Sequence, residues 1–258
     1  MLQIKKKPLI IAVVGKGGAG KTIITTLLIK ALSTNYSYKL LLIDGDPTYP
    51  HLSKMLKLNP TRSLEAIKSE LIANIQSGEK NREDLAEIID FQVYNALVET
   101  KQYSLFSIGQ SEEPGCFCPS NAIMKKVIES ISKDFEIVLI DCEAGLEQIN
   151  RMVIQSVDIV IIVSDESQRS INTAISIRES AKKFTNYKKI GIIINRFKLD
   201  PNKIIVKLHE LNFELFALIP EDEIIRNYDA QGKPIIDISD SAVSYQEIRY
   251  KLSKILNL

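Results

Sequence analysis

Seven short apolar runs recur along the chain: Pro8–Val14, Lys39–Asp44, Ser104–Ile108, Glu136–Asp141, Asp158–Val163, Ile190–Asn195 and Phe213–Pro220. Within them Ile, Val and Leu follow one another without the in-and-out alternation of a half-exposed strand. That is the pattern of strands covered on both faces, and such strands belong to parallel sheets sandwiched by helices. The runs therefore predict an α/β fold, a doubly wound, mostly parallel sheet flanked by helices on both faces. Helix entry signals, several with Ser, Asp or Pro at the start, fall near Gly20, Pro60, Pro119, Glu147, Gln168, Pro201, Asp222 and Ser241. The region Asn59–Tyr103 is the least strand-like and reads as a helical insertion around 59–103. No boundary splits the 258 residues into two domains. The charged cluster Glu79–Asp84 in that insertion suits either a solvated cover or a partner-docking surface.

Composition narrows the function. Thirty-three Lys and Arg against 32 Asp and Glu give a net charge of +1. Nucleic-acid binding through a general positive field is not expected of such a chain. The three lysines before Pro8 loosely imitate a secretion signal, but the apolar run is too short and leads directly into a glycine loop. No stretch reaches the length of about 18 apolar residues that suggests a membrane span. The expected location is the cytoplasm, where the three cysteines stay reduced. The apolar spacing of Ile248, Leu252, Ile255 and Leu256 fits a helix packed on the sheet, so no membrane partner is expected.

The glycine loop carries the first chemistry. Gly15-Lys16-Gly17-Gly18-Ala19-Gly20-Lys21-Thr22 matches G-x-x-x-x-G-K-[ST] between a predicted strand and a predicted helix. In that setting the glycines let backbone N–H groups surround phosphate oxygens, with Ala19 and Ile23 in the same run. Lys21 reaches the terminal phosphates, and Thr22 offers its hydroxyl to Mg²⁺. Two later runs end in Asp44-Gly45-Asp46-Pro47 and Asp141-Cys142-Glu143-Ala144-Gly145. The carboxyl ends of parallel strands line the ligand crevice, so Asp46 and Asp141 are placed to hold the water shell of Mg²⁺. Asp44 suits either a link between this segment and the loop or a purely structural carboxylate.

With Lys16 after its first glycine, the loop resembles the deviant phosphate loop, GKGGxGKT, of the MinD, ParA and nitrogenase iron protein superfamily. The resemblance implies a P-loop ATPase that binds ATP and ADP and hydrolyses ATP. In that family the lysine matching Lys16 crosses a nucleotide-sandwiched homodimer to the partner's phosphates. By the same resemblance Asp46 belongs to the first switch and orients the attacking water, while Asp141 opens the second. Lys16, Lys21 and Asp46 are then the expected catalytic residues. Asn195 and Arg196 match the family's adenine-reading position, and Pro220, Glu221 and Asp222 match its loop over adenine and ribose.

Cys116 and Cys118, in Pro114-Gly115-Cys116-Phe117-Cys118-Pro119, form a C-x-C pair that supplies two thiolates where Zn²⁺ usually takes four ligands. A twofold dimer supplies four. With the D-x-E-A-G-x-E stretch beginning at Asp141, the chain resembles the CooC-type accessory ATPases, which bind Ni²⁺ or Zn²⁺ at paired cysteines of a dimer. Those proteins use ATP in maturing the nickel cluster of carbon monoxide dehydrogenase, the client enzyme this resemblance implies. Two departures stand out: Gln148 replaces a frequent His, and Ile23 replaces a usual hydroxyl residue. A second resemblance is to the nitrogenase iron protein, a reductase holding a [4Fe-4S] cluster between subunits. That arrangement uses a second cysteine several residues after the switch aspartate, and here no cysteine follows Cys142. Cys142 itself reads as a buried thiol. His51 and His209 fall in no ligand-spaced cluster.

Overall fold

The computed structural model describes residues 7–46, 51–67, 69–70, 91–109, 128–142, 157–198 and 200–256. Its strands are β1 (Leu9–Gly15), β2 (Leu40–Asp44), β3 (Val98–Glu99), β4 (Tyr103–Ser107), β5 (Ile137–Asp141), β6 (Ile159–Ser164), β7 (Lys189–Phe197) and β8 (Leu215–Pro220). They form one sheet in the order β3-β4-β2-β5-β1-β6-β7-β8. Every pairing is parallel except β3 with β4. All seven apolar runs are strands of this sheet.

Each face of the sheet carries its own core, which is why the strands do not alternate in polarity. On one face Ile11 and Val13 of β1 pack with helix α1 (Lys21–Asn35) and helix α6 (Val243–Leu256). On the other, Ala12 and Val14 pack with helices α3 (Gln168–Phe184) and α4 (Pro201–Glu210). Two shorter helices, α2 (His51–Met55) and α5 (Glu223–Ala230), complete the labelled elements. The apolar residues spaced along the last helix, Ile248, Leu252, Ile255 and Leu256, are buried in the first core beside Tyr245. Their spacing therefore serves packing on β8 and α1. Among the described residues no helix is long and apolar enough to cross a membrane.

Helix entry follows the sequence signals closely. Gln168 and Pro201 open α3 and α4, which Ser167 and Asp200 respectively cap through their side chains. The last helix opens at Val243, two residues beyond the signal at Ser241. Pro119 and Glu147 lie outside the described residues. Within the region predicted as an insertion, residues 64–67, 69–70 and 91–96 are helical, but Val98 and Glu99 form a strand. That strand carries no apolar run because it is two residues long and one of them, Glu99, is exposed.

Candidate functional site

The glycine loop leaves β1 at the carboxyl edge of the sheet and enters α1. Gly15 has φ +153°, and a Cβ there would sit 2.1 Å from the carbonyl oxygen of Val163 on the neighbouring strand β6. Gly20 has φ +92°, and its Cβ would meet Asn195 Nδ2 at 2.3 Å. At both positions only glycine fits. Gly20 also caps α1 in a left-handed conformation with no side-chain hydrogen bond, and the first turn contains no acidic residue. The positive end of α1 is thus left without a side-chain acceptor or a counter-charge of its own, the arrangement that binds anions. Gly17 and Gly18 are exposed, Ala19 is buried, and Lys21 folds back so that Nζ donates to the Lys16 carbonyl at 3.3 Å.

Two residues of β7 brace the loop from behind. Asn195, buried, donates from Nδ2 to the Ala19 carbonyl at 2.9 Å, and Arg196 donates from its guanidinium to the Gly18 carbonyl at 2.6 Å. Arg196 adopts φ +56° to do so. The Asn195 amide expected to read a base is therefore turned onto the loop, leaving its Oδ1 acceptor and a second N–H. At the end of β8, Pro220 is half-buried and the exposed Glu221 pairs with Lys198 at 2.9 Å. Asp222 is committed to the fold. Its Oδ1 accepts from Ile224 N and Ile225 N at the start of α5, and its Oδ2 from Ser244 N in α6.

The carboxylates meet where β2 and β5 lie side by side, with Asp44 and Asp141 in register. Asp44 is fully buried. Burial raises its pKa to about 7, Asp141 adds to the rise, and the Asp46 N–H donated to Oδ1 at 3.2 Å opposes it. The Ser53 backbone also opposes the rise, and among the described residues Oδ2 has no partner at full hydrogen-bond geometry. Burial likewise raises Asp141 to about 6, against hydrogen bonds from the hydroxyls of Thr22 and Thr25 and the charge of Lys21. Asp46 is half-buried beside them. Thr22, Asp46 and Asp141 offer only oxygen donors, and among the described residues no three His, Cys, Asp or Glu side chains gather closely enough to hold a metal directly. This set fits Mg²⁺, which keeps several of its waters and takes few protein ligands.

Asp165, just beyond β6, was not singled out from the sequence. Burial raises its pKa, but two hydrogen bonds from Ser167 and the charges of Lys16 and Arg196 outweigh that and hold it below the usual carboxylate range. The available signal was an acidic residue at the carboxyl end of a parallel strand, the same logic that selected Asp46 and Asp141. Cys142 is buried, and desolvation together with the Asp141 charge pushes its thiol well above the usual range. It is a protonated core residue. Cys116, Cys118, Gln148 and Pro47 lie outside the described residues. A cavity of about 540 Å³ at the opposite end of the sheet, lined by Tyr36, Tyr38 and Tyr103 among others, contains none of the predicted site residues.

Residues 10–235 match the model of the CobQ/CobB/MinD/ParA nucleotide binding domain. The chain belongs to this family. A family member of Methanocaldococcus jannaschii, known as an uncharacterised ATP-binding protein, is 34% identical over 252 residues, covering 96% of this chain and 99% of that one. The carbon monoxide dehydrogenase accessory protein CooC of Rhodospirillum rubrum is 30% identical over 240 residues, covering 89% and 90%. In fold, the chain matches the septum site-determining protein MinD complexed with Mg-ADP from Pyrococcus horikoshii, with a TM-score of 0.69, 22% identity and 96% coverage of both chains. The family makes this an ATP-binding P-loop protein of the ATPase type, with an eight-stranded sheet in the MinD and ParA manner.

Proposed function

We propose that the chain is one P-loop ATPase domain acting as an ATP-dependent homodimeric metallochaperone, cytoplasmic, which carries Ni²⁺ or Zn²⁺ for the maturation of a nickel enzyme such as carbon monoxide dehydrogenase. The observation that carries the ATPase half is the braced loop. The Gly18 and Ala19 carbonyls are tied back by Arg196 and Asn195, and the Lys16 carbonyl accepts from Ala19 N and Lys21 Nζ, which turns these acceptors away from the crevice and supports a phosphate site at the uncapped start of α1. Lys21 then turns from the Lys16 carbonyl to the terminal phosphates. Thr22 would offer its hydroxyl to Mg²⁺, and Asp46 and Asp141 would hold the ion's water shell. When bound, Mg²⁺ neutralises charge on the transferring phosphoryl group. Asp46 orients water for attack, and Lys16, reaching into a second copy of the chain, adds positive charge where the leaving group accumulates negative charge. Pro220 and Glu221 border the base and Asn195 offers it an acceptor, while Asp222 supports that border by capping both flanking helices.

The metal half rests on Cys116 and Cys118, on the similarity to CooC, and on Cys142. Because Cys142 is a buried, protonated thiol, two of the three cysteines remain for a metal cargo. Two thiolates per chain make four per dimer, a closed tetrahedral set. Anaerobic titration with iron, nickel and zinc, with and without ATP, tests this by elemental analysis and molecular size. One Ni²⁺ or Zn²⁺ per dimer, lost in Cys116→Ala, is the expected result. A redox-active four-iron cluster would instead make the protein a reductase component like the nitrogenase iron protein.

A further inference from the structure

We infer that Thr25 is a positioning residue for the Mg²⁺ site: its hydroxyl holds the carboxylate of Asp141 in the orientation that serves the Mg²⁺ water shell. The inference rests on the reading of Asp141 as part of that site. Thr25 Oγ1 donates to Asp141 Oδ1 at 3.0 Å. Thr25 is 0% and Asp141 4% exposed, so solvent cannot replace this bond. Thr25 lies one helical turn after Thr22 on α1, and the two hydroxyls therefore share the face turned toward β5. Both hydroxyls favour the ionised form of the same carboxylate, and Thr25 makes the hydrogen bond to it.

The two threonines differ in what else they can do. Thr22 follows the phosphate-binding lysine and must offer its oxygen to the cation, whereas Thr25 lies deeper in α1 and is fully enclosed. Among the described residues, the one hydrogen-bond partner of the Thr25 hydroxyl is thus this carboxylate. The side chain at position 23 packs against the core beside α1, and the chain places its second hydroxyl two residues later, within reach of Asp141. Groups that hydrogen-bond a carboxylate in this way fix its rotamer; at a directly ligating group their loss commonly weakens metal binding by roughly ten- to a hundredfold, and because Asp141 acts through water the lower end applies here.

The test compares ATP affinity in Mg²⁺ with ATP affinity in EDTA, by titration of a fluorescent ATP analogue into the full chain, with thermal melts as a control on folding. Thr25→Val keeps the shape and removes the hydroxyl. The expected result is a loss on the order of tenfold in the Mg²⁺-dependent gain in affinity, unchanged affinity in EDTA, and recovery of the gain in Thr25→Ser. A folded Thr25→Val protein with the wild-type Mg²⁺ dependence overturns the assignment and leaves Thr25 a packing residue. Should Thr25→Val fail to fold, Thr25→Ala is measured in the same way and decides on the same criterion. A wild-type protein whose ATP affinity is indifferent to Mg²⁺ overturns the reading of the site itself.

Discussion

Asp44 and Asp141 set two carboxylates against their burial. Both are buried carboxylates in register on adjacent strands, with folded pKa values raised to about 7 and about 6 from an unfolded value of 3.8. A raised carboxylate pKa means that the folded chain binds protons more tightly than the unfolded chain, so stability is greatest below the unfolded value and declines as pH rises through the folded one. Without nucleotide or divalent cation, stability is therefore expected to fall between about pH 4 and pH 7. Asp44→Asn should flatten this fall, because an amide needs no proton to sit there uncharged. Urea denaturation at pH 5 and pH 7.5 measures it, and an Asp44→Asn variant that loses as much stability between the two pH values as the wild type would show that Asp44 does not titrate in this range. At the same scale, Asp222→Ala removes three backbone hydrogen bonds across two helix starts. A cost of about 2 kcal/mol is expected, at the upper end for a single cap, and denaturant midpoints would reveal it.

Among the elements, α6 makes the clearest prediction, since Tyr245, Ile248, Leu252, Ile255 and Leu256 are all buried while Val243 and Tyr250 face outward. Ile248 is fully buried in the core shared with α1 and β8, and Ile248→Ala should cost about 3 kcal/mol through lost burial and the cavity left behind. A loss below 1 kcal/mol would mean that the helix is loosely docked. The same helix shows what sequence can and cannot disclose. Period and length placed it, because its apolar residues recur at helical spacing. The seven apolar runs placed their strands for an equally local reason: strands covered on both faces need no polar positions. What stayed hidden depends on partners distant in the chain. Glu99 becomes a strand residue by pairing with Ser104. Asn195, read as a base-contacting amide, is drawn to the Ala19 carbonyl 176 residues away. Thr25 shows its partner only when β5 is laid beside the start of α1. The glycine loop was legible because its chemistry is contiguous, whereas the bracing behind it is assembled across the sheet.

At the scale of the whole molecule, the near-neutral chain must draw its specificity from local charge, and one such arrangement brings Lys16 and Arg196 to bear on Asp165 at the carboxyl edge of the sheet. ATP is expected to convert monomer to dimer, and Lys16→Ala to weaken both hydrolysis and this conversion while leaving monomer folding intact. Light scattering with and without ATP, alongside phosphate release, would test it. Unchanged hydrolysis in Lys16→Ala would remove the role of this lysine across the subunit boundary. The bracing of the phosphate loop has one more consequence, which concerns the order of synthesis. The loop is complete in sequence once Thr22 has left the ribosome, yet the side chains that tie back its carbonyls are those of residues 195 and 196. β6 must also be in place, because it lies between β1 and β7. A nascent chain thus carries its phosphate-binding sequence through most of translation in an unbraced form. It gains a preorganised grip on nucleotide only when β7 emerges and joins the sheet.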